Sequence, residues 1–141
     1  MKVIATGLSA GVLALLEASG LPAADLRAGR PVTLLAAVAD DDLRGCVGYE
    51  LSGDVALLRS LAVRPSARGG GAGRELVAAA ESHARDSGAA TIFLLTTTAA
   101  AFFERLGYQR IARDTAPAFI ADSPQFLGLC PGTAVLMMRR V

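Results

Sequence analysis

The sequence predicts an α/β domain: one mixed sheet with helices on both faces. Three observations predict it. Apolar runs of strand length recur, separated by turn residues. In the second half, two helix-like segments alternate with such runs. Between one strand-like run and one helix-like run, four of the five residues at 69–73 are glycine. A length of 141 residues with 52% apolar composition suits one domain, residues 1–141, around one core.

Residues 3–5 form a short first strand. Ser9 caps a helix over residues 10–19, with Val12, Leu15 and Leu16 near one face, and Gly20-Leu21-Pro22 ends it. "PAADL" makes one more helical turn, and "PVTLLAAV" is an apolar strand. "ADDDL" turns into the strand "RGCVGYEL", and "SGD" closes a hairpin onto "VALLRSLAV", a long apolar strand interrupted by Arg59. After the glycines a helix runs over residues 74–87 and stops at Gly88. "ATIFLLTT" is a buried strand. "TAAAFFERL" is a short helix capped by Thr98 and ended by Gly107, and "YQRIARD" is a strand. A loop or partly helical insert at 115–132 leads to the last strand, "TAVLMMRRV". Long inserts in compact domains are often functional.

Composition narrows the function. Fourteen basic and thirteen acidic residues leave a net charge of +1, which calls for neither nucleic acid nor an anionic membrane. Tryptophan is absent, so a base-stacking platform lacks material. Cys46 and Cys130 form no CxxC pair and His83 is the lone histidine, which argues against a structural zinc site and for a reduced, cytoplasmic setting. "MKVIATGLSAGVLALL" has the look of a secretory leader, but Glu17, Gly7 and Gly11 break the pattern and it reads better as a strand and a helix.

The glycines carry the chemistry. A helix N-terminus presents unpaired N–H groups and the positive end of a dipole, and glycines let a phosphate approach that backbone closely. A Walker loop is ruled out because no GK[ST] string exists. A dinucleotide fingerprint fails because position 74 is arginine. The signature [RQ]-x-x-G-x-[GA] is filled by Arg68, Gly71 and Gly73.

With that signature, "LRSLAVRPSARGGGAGRELV" resembles the strand–loop–helix motif of the GNAT superfamily of acetyl-CoA-dependent N-acetyltransferases, and "AAAFFERLGYQR" resembles its later helix–strand motif. The resemblance covers nearly the whole chain. It implies a mostly antiparallel sheet whose strands splay at the acetyl-CoA site. It also implies acetyl-CoA as co-substrate, no metal, and a small-molecule amine as partner, with a homodimer left open. By the same resemblance, backbone N–H groups of Arg68, Gly69, Gly70, Gly71, Ala72, Gly73 and Arg74 hold the pyrophosphate. Leu61, Ala62 and Val63 pair with the pantetheine arm, and one of their N–H groups polarises the thioester carbonyl. Thr96 stands where the family often has a pantetheine-contacting asparagine. Arg64 and Arg74 are candidate phosphate partners, with ordinary solvated arginines as the plain alternative.

Two departures matter. Phe103 occupies the position where many members have a tyrosine acid, so Tyr108 is read as structural. Leu57 occupies the position where many have a glutamate base. A two-residue turn at Gly53 and Asp54 would set Glu50 opposite Leu57, with Arg59 diagonal on the same face. Glu50 is therefore the candidate base, acting directly or through water, and Arg59 the candidate receptor for a substrate carboxylate. A purely structural Glu50–Arg59 ion pair is the competing reading.

"ALLRSLAV", "LLTTTAAAFFERLGY" and "LCPGTAVLMM" resemble the short N-acetylglutamate-synthase-like enzymes, closest to the arsenic-resistance-associated N-acetyltransferases. That implies acetylation of the α-amine of glutamate-like compounds, including antimetabolites bearing arsenic or phosphorus acids. Protein or peptide N-acetylation and a non-catalytic coenzyme A sensor are the alternatives. Cys46, His83, Phe119, Phe126 and Cys130 are read as packing or surface residues, not as nucleophile or ligand.

Overall fold

The computed structural model describes residues 1–129 and 133–141. In chain order the elements are β1 (Lys2–Thr6), α1 (Ala10–Ala18), α2 (Ala24–Arg27), β2 (Thr33–Ala39), β3 (Asp42–Ser52), β4 (Val55–Val63), α3 (Ala72–Asp86), β5 (Thr91–Thr96), α4 (Ala100–Arg105), β6 (Gln109–Ile111), α5 (Ala118–Ala121) and β7 (Val135–Arg140). A 3-10 turn at Pro65–Ala67 precedes α3, another spans Arg113–Thr115, and a π turn spans Gln125–Leu129.

The seven strands form one sheet in the order β1-β2-β3-β4-β5-β7-β6. All pairs are antiparallel except β4 with β5. The mixed, mostly antiparallel sheet of the expectation is thus present. Helices cover both faces. Leu76, Val77, Ala80 and Ala84 of α3 and Phe103 of α4 pack with Leu35, Val47, Leu58, Leu94 and Met137 on one face. Val12, Leu15 and Leu16 of α1 and Leu26 of α2 pack with Cys46 and Ala62 on the other, where Ile120 of α5 also meets Leu57, Phe93 and Leu136. No helix among the described residues is long and apolar enough to cross a membrane.

Local chemistry explains most boundaries. Ser9 caps α1 by accepting the Val12 N–H at 3.2 Å. The hairpin between β3 and β4 has the expected register, Ser52 opposite Val55 and Glu50 opposite Leu57. Three boundaries differ from expectation. Helix α3 starts at Ala72 rather than Arg74, because Gly71 takes the left-handed conformation at φ 85° and turns the chain directly into the helix. Strand β6 has only three residues, since Arg113 enters a 3-10 turn. Thr98 does not cap α4: Ala99 stands at the N-cap without a side-chain cap, and its N–H donates to the Thr96 hydroxyl at 3.0 Å.

Strand β4 carries the one irregularity that matters for the site. Gly48 pairs with Arg59 and Cys46 with Ala62, so Ser60 and Leu61 together oppose Val47. This is a β-bulge, and Ser60 sits in it at φ 59°. The bulge resets the alternation of faces. Leu58 and Leu61, three apart, both join the α3 side, while Leu57 and Ala62 lie on the other.

Candidate active site

Strands β4 and β5 pair only where Val55, Ala56 and Leu57 meet Thr91, Ile92 and Phe93. Beyond Leu57 they part, and a cleft of ≈ 490 Å³ opens between them. Residues 57–63 form one wall and residues 94–99 the other. Phe103, Gln125 and Ala134 complete it on one side, and residues 19–22, linking α1 to α2, on the other. A second hollow of ≈ 420 Å³ continues past Leu61, Val63 and Arg68 to the glycine turn. The two share those three residues, so one groove runs from the middle of the sheet to the start of α3.

The glycine turn is shaped for a backbone-held anion. Gly69 and Gly71 both have φ 85°, a conformation that costs a side-chain-bearing residue. The N–H groups of Ala72, Gly73 and Arg74 open α3 and by geometry have no acceptor within the helix. A Cβ on Gly73 would stand 3.4 Å from the Phe102 ring, so the bare backbone keeps this wall open. Arg74 and Arg68 line the hollow, and Arg68 Nε donates to the Val63 carbonyl at 3.2 Å. Gly70 is in the turn but not on that wall. Arg64 is committed elsewhere: its guanidinium donates to Asp42 and, at 3.1 Å, to the Leu43 carbonyl, which ties it to β3.

At the sheet end of the cleft stands a buried charge network. Arg59, with its side chain 1% exposed, lies between two carboxylates. Its Nη1 donates to Asp25 and to Glu50 Oε2 at 2.9 Å, and its Nη2 to Asp25 Oδ1 at 2.7 Å. Its Nε donates to the Ser60 hydroxyl at 3.1 Å. Glu50 also accepts from Arg30, at 2.9 Å from Nε and 2.8 Å from Nη2. Burial pushes the Asp25 carboxyl up, but the hydrogen bonds and charge of Arg59 outweigh it and hold the carboxyl below its ordinary value. Burial alone would lower Arg59, and the two carboxylates more than offset that, so its proton is held more firmly than usual.

The sequence reading brought Glu50 and Arg59 together, and they meet. It did not single out Asp25, Arg30 or Ser60. Asp25 had a signal: a buried arginine demands balancing acids, and Asp25 lies in a short turn flanked by apolar residues. Ser60 had none, because a positive φ at a serine inside a strand is not written in the residue pattern. Arg59 lines the cleft, whereas Glu50 and Asp25 lie behind it.

Among the remaining candidates, Thr96 and Phe103 line the cleft, and the Thr96 hydroxyl accepts from the Ala99 N–H. Phe103 offers no proton. The Tyr108 hydroxyl donates to Glu81 at 2.8 Å, and burial together with that carboxylate raises its pKa strongly, so it is a packing residue. Burial pushes the Cys46 thiol up to about 11, and its Sγ donates to the Ser60 carbonyl at 3.4 Å. His83 Nδ1 is hydrogen-bonded to the Tyr49 hydroxyl, away from the cleft. Cys130 lies outside the described residues. Among the described residues no cluster of His, Cys, Asp and Glu is arranged to hold a metal.

An interior strand edge opened beside a glycine turn and a helix N-terminus is an arrangement suited to an extended, phosphate-bearing ligand. The chain belongs to the acetyltransferase (GNAT) family, whose profile matches residues 14–108. Over 65 residues, 46% of the chain, it is 42% identical to an amino-acid acetyltransferase of Ectopseudomonas mendocina (strain ymp), and that match spans 15% of the relative. N-acetylglutamate synthase from Neisseria gonorrhoeae, solved with coenzyme A and N-acetyl-glutamate, superposes with a TM-score of 0.78 at 24% identity, over 99% of this chain and 35% of that one. The Mycobacterium tuberculosis protein Rv2747, solved with coenzyme A, superposes with a TM-score of 0.78 at 21% identity, over 100% of this chain and 99% of that one. The two solved structures share the fold. The chain thus corresponds to a minor part of the length of the first two of these proteins.

Proposed function

We propose that this chain is an acetyl-CoA-dependent N-acetyltransferase for the α-amine of a small amino-acid-like substrate. The observation that carries the proposal is the single groove running from the glycine turn to Arg59 through the parted strands. The pyrophosphate of coenzyme A would rest on the N–H groups of residues 68–74, and the pantetheine arm would lie along Leu61, Ala62 and Val63 as an added strand. Thr96 and Phe103 would flank it. The thioester then falls where β4 and β5 separate, and the amine attacks it directly.

The acceptor end of the groove is lined by Arg59. Its two carboxylate partners use three of its five N–H groups and Ser60 a fourth, which leaves one on Nη2 for the acceptor's carboxylate. Glu50 lies behind Arg59 and would take up the ammonium proton through water rather than by contact. The same hydrogen bonds support a second reading, in which Glu50, Asp25 and Arg59 only brace β4. The pH profile separates them: Glu50→Gln should remove the acidic limb of kcat/KM if Glu50 is the proton acceptor, and leave its shape intact if it is a brace.

A glutamate-like acceptor is favoured by the names of the relatives, an amino-acid acetyltransferase and an N-acetylglutamate synthase. Glutamate, glutamine, phosphinothricin and arsinothricin form the panel that tests it, with peptide amines as the contrasting class. Turnover of a free amino acid supports the proposal. Binding of coenzyme A with no turnover on any amine would replace it with a sensor.

A further inference from the structure

We propose that the Ser60 hydroxyl is a catalytic hydrogen-bond donor at the reacting thioester, made a stronger donor by Arg59. The inference rests on the acetyl-transfer reading above and names a residue that neither the sequence nor the family match points to. Three observations converge on it. Ser60 lines the cleft where β4 leaves β5, and it is 9% exposed. Its Oγ accepts from Arg59 Nε at 3.1 Å, and no described residue accepts the hydroxyl's own proton. Its carbonyl is held from behind by the Cys46 thiol at 3.4 Å, and its φ of 59° is one a serine adopts only when the surroundings impose it.

The bond from Arg59 occupies one lone pair of the hydroxyl oxygen and leaves its proton for an acceptor in the cleft. A cationic donor on the oxygen's lone pair polarises the O–H bond and strengthens the bond that proton makes next. Asp25 and Glu50 fix the guanidinium that does this, so the donor is organised before substrate arrives. The target is the thioester oxygen. As the amine lone pair forms the C–N bond, the carbonyl electron pair moves onto oxygen. The Ser60 hydroxyl and a backbone N–H of the bulge stabilise that charge without transferring a proton. When the carbonyl re-forms, the C–S bond breaks and sulfur leaves with its electron pair as thiolate. The proton released by nitrogen balances the one the thiolate takes up to become coenzyme A. This role is separate from that of an acid at position 103, where phenylalanine has no proton to give.

The test compares Ser60→Ala with Ser60→Gly. Both lose the hydroxyl, but glycine accepts the positive φ without strain and preserves the bulge. Steady-state kinetics with acetyl-CoA and an accepted amino acid should show kcat reduced on the order of 10²-fold in both. Coenzyme A affinity by calorimetry should stay within about threefold for Ser60→Gly, since the glycine turn is untouched. Ser60→Gly turning over within about threefold of wild type would overturn the proposal, whatever Ser60→Ala does, because the residue would then matter only for its backbone. A wild-type protein with no transfer to any amine would overturn the acetyl-transfer reading itself, and the Ser60 role with it.

Discussion

Arg59 is the residue on which the sheet end of the groove turns. A guanidinium inside a sheet is tolerated only with its charge matched, and here Asp25 and Glu50 match it from two different elements. Removing one partner's charge while keeping its volume leaves the buried guanidinium under-compensated: Asp25→Asn is expected to destabilise by about 3 kcal/mol at neutral pH, read by urea unfolding. The pH dependence has a definite sign. The Asp25 carboxyl is depressed in the folded protein, so its contribution is fully present above its ordinary value of 3.8 and disappears as pH falls through the depressed value. The stability gap between wild type and Asp25→Asn should therefore stay constant from pH 7 down to about 4 and close only below that. A gap that closes between pH 7 and 5 would assign the effect to another group.

At the scale of elements, the turn and cap positions are separable by substitution. Thr96→Val removes the hydrogen bond that holds the Ala99 N–H just before α4 and should cost about 1 kcal/mol, whereas Thr98→Val should stay within about 0.5 kcal/mol, by thermal unfolding. Gly45→Ala would press a methyl to 2.8 Å from the Ala62 carbonyl and 2.9 Å from Leu76, between β3, β4 and α3, and should destabilise by about 1–3 kcal/mol. Gly73→Ala, by contrast, crowds only a phenylalanine ring edge and should lower coenzyme A affinity with little change in melting temperature.

These elements also mark what was legible in advance. Apolar runs with glycine, proline and aspartate at their ends wrote β2, β3, β4 and β5 into the sequence, because both alternation and turn chemistry are local. Ser9 and Gly71 are local signals too. The α4 cap was misread because Thr96, Thr97 and Thr98 all carry capping hydroxyls, and only the backbone path puts Ala99 at the N-cap. The Glu50–Arg59 pairing was legible because one tight hairpin fixes its register. Asp25 lies 34 residues from Arg59: a buried arginine calls for an acid, but which acid answers depends on how α2 settles on the sheet.

For the whole molecule, the groove unites what the separate signals suggested. Its two ends are built by different chemistry: backbone N–H groups at the glycine turn, and a neutralised cluster of side-chain charges at the sheet. A ligand spanning both should stabilise the fold as a unit. Coenzyme A at a hundredfold excess over its Kd should contribute about 2.7 kcal/mol, a rise of roughly 8 °C in melting temperature for a domain this size. Coenzyme A binding no more tightly than free adenosine phosphates would place binding at the glycine turn alone.

The parting of β4 from β5 has a consequence for the empty protein. A strand in the centre of a sheet normally has both its ladders closed, and its amides are among the last to exchange with deuterium. Beyond Leu57, β4 is closed toward β3 only. The amides of residues 58–63 that point away from β3 should therefore exchange on the timescale of a frayed edge, although they lie at the middle of the molecule. Ligand binding should slow those amides far more than their neighbours, so the unliganded chain carries a solvent-accessible seam through its own core.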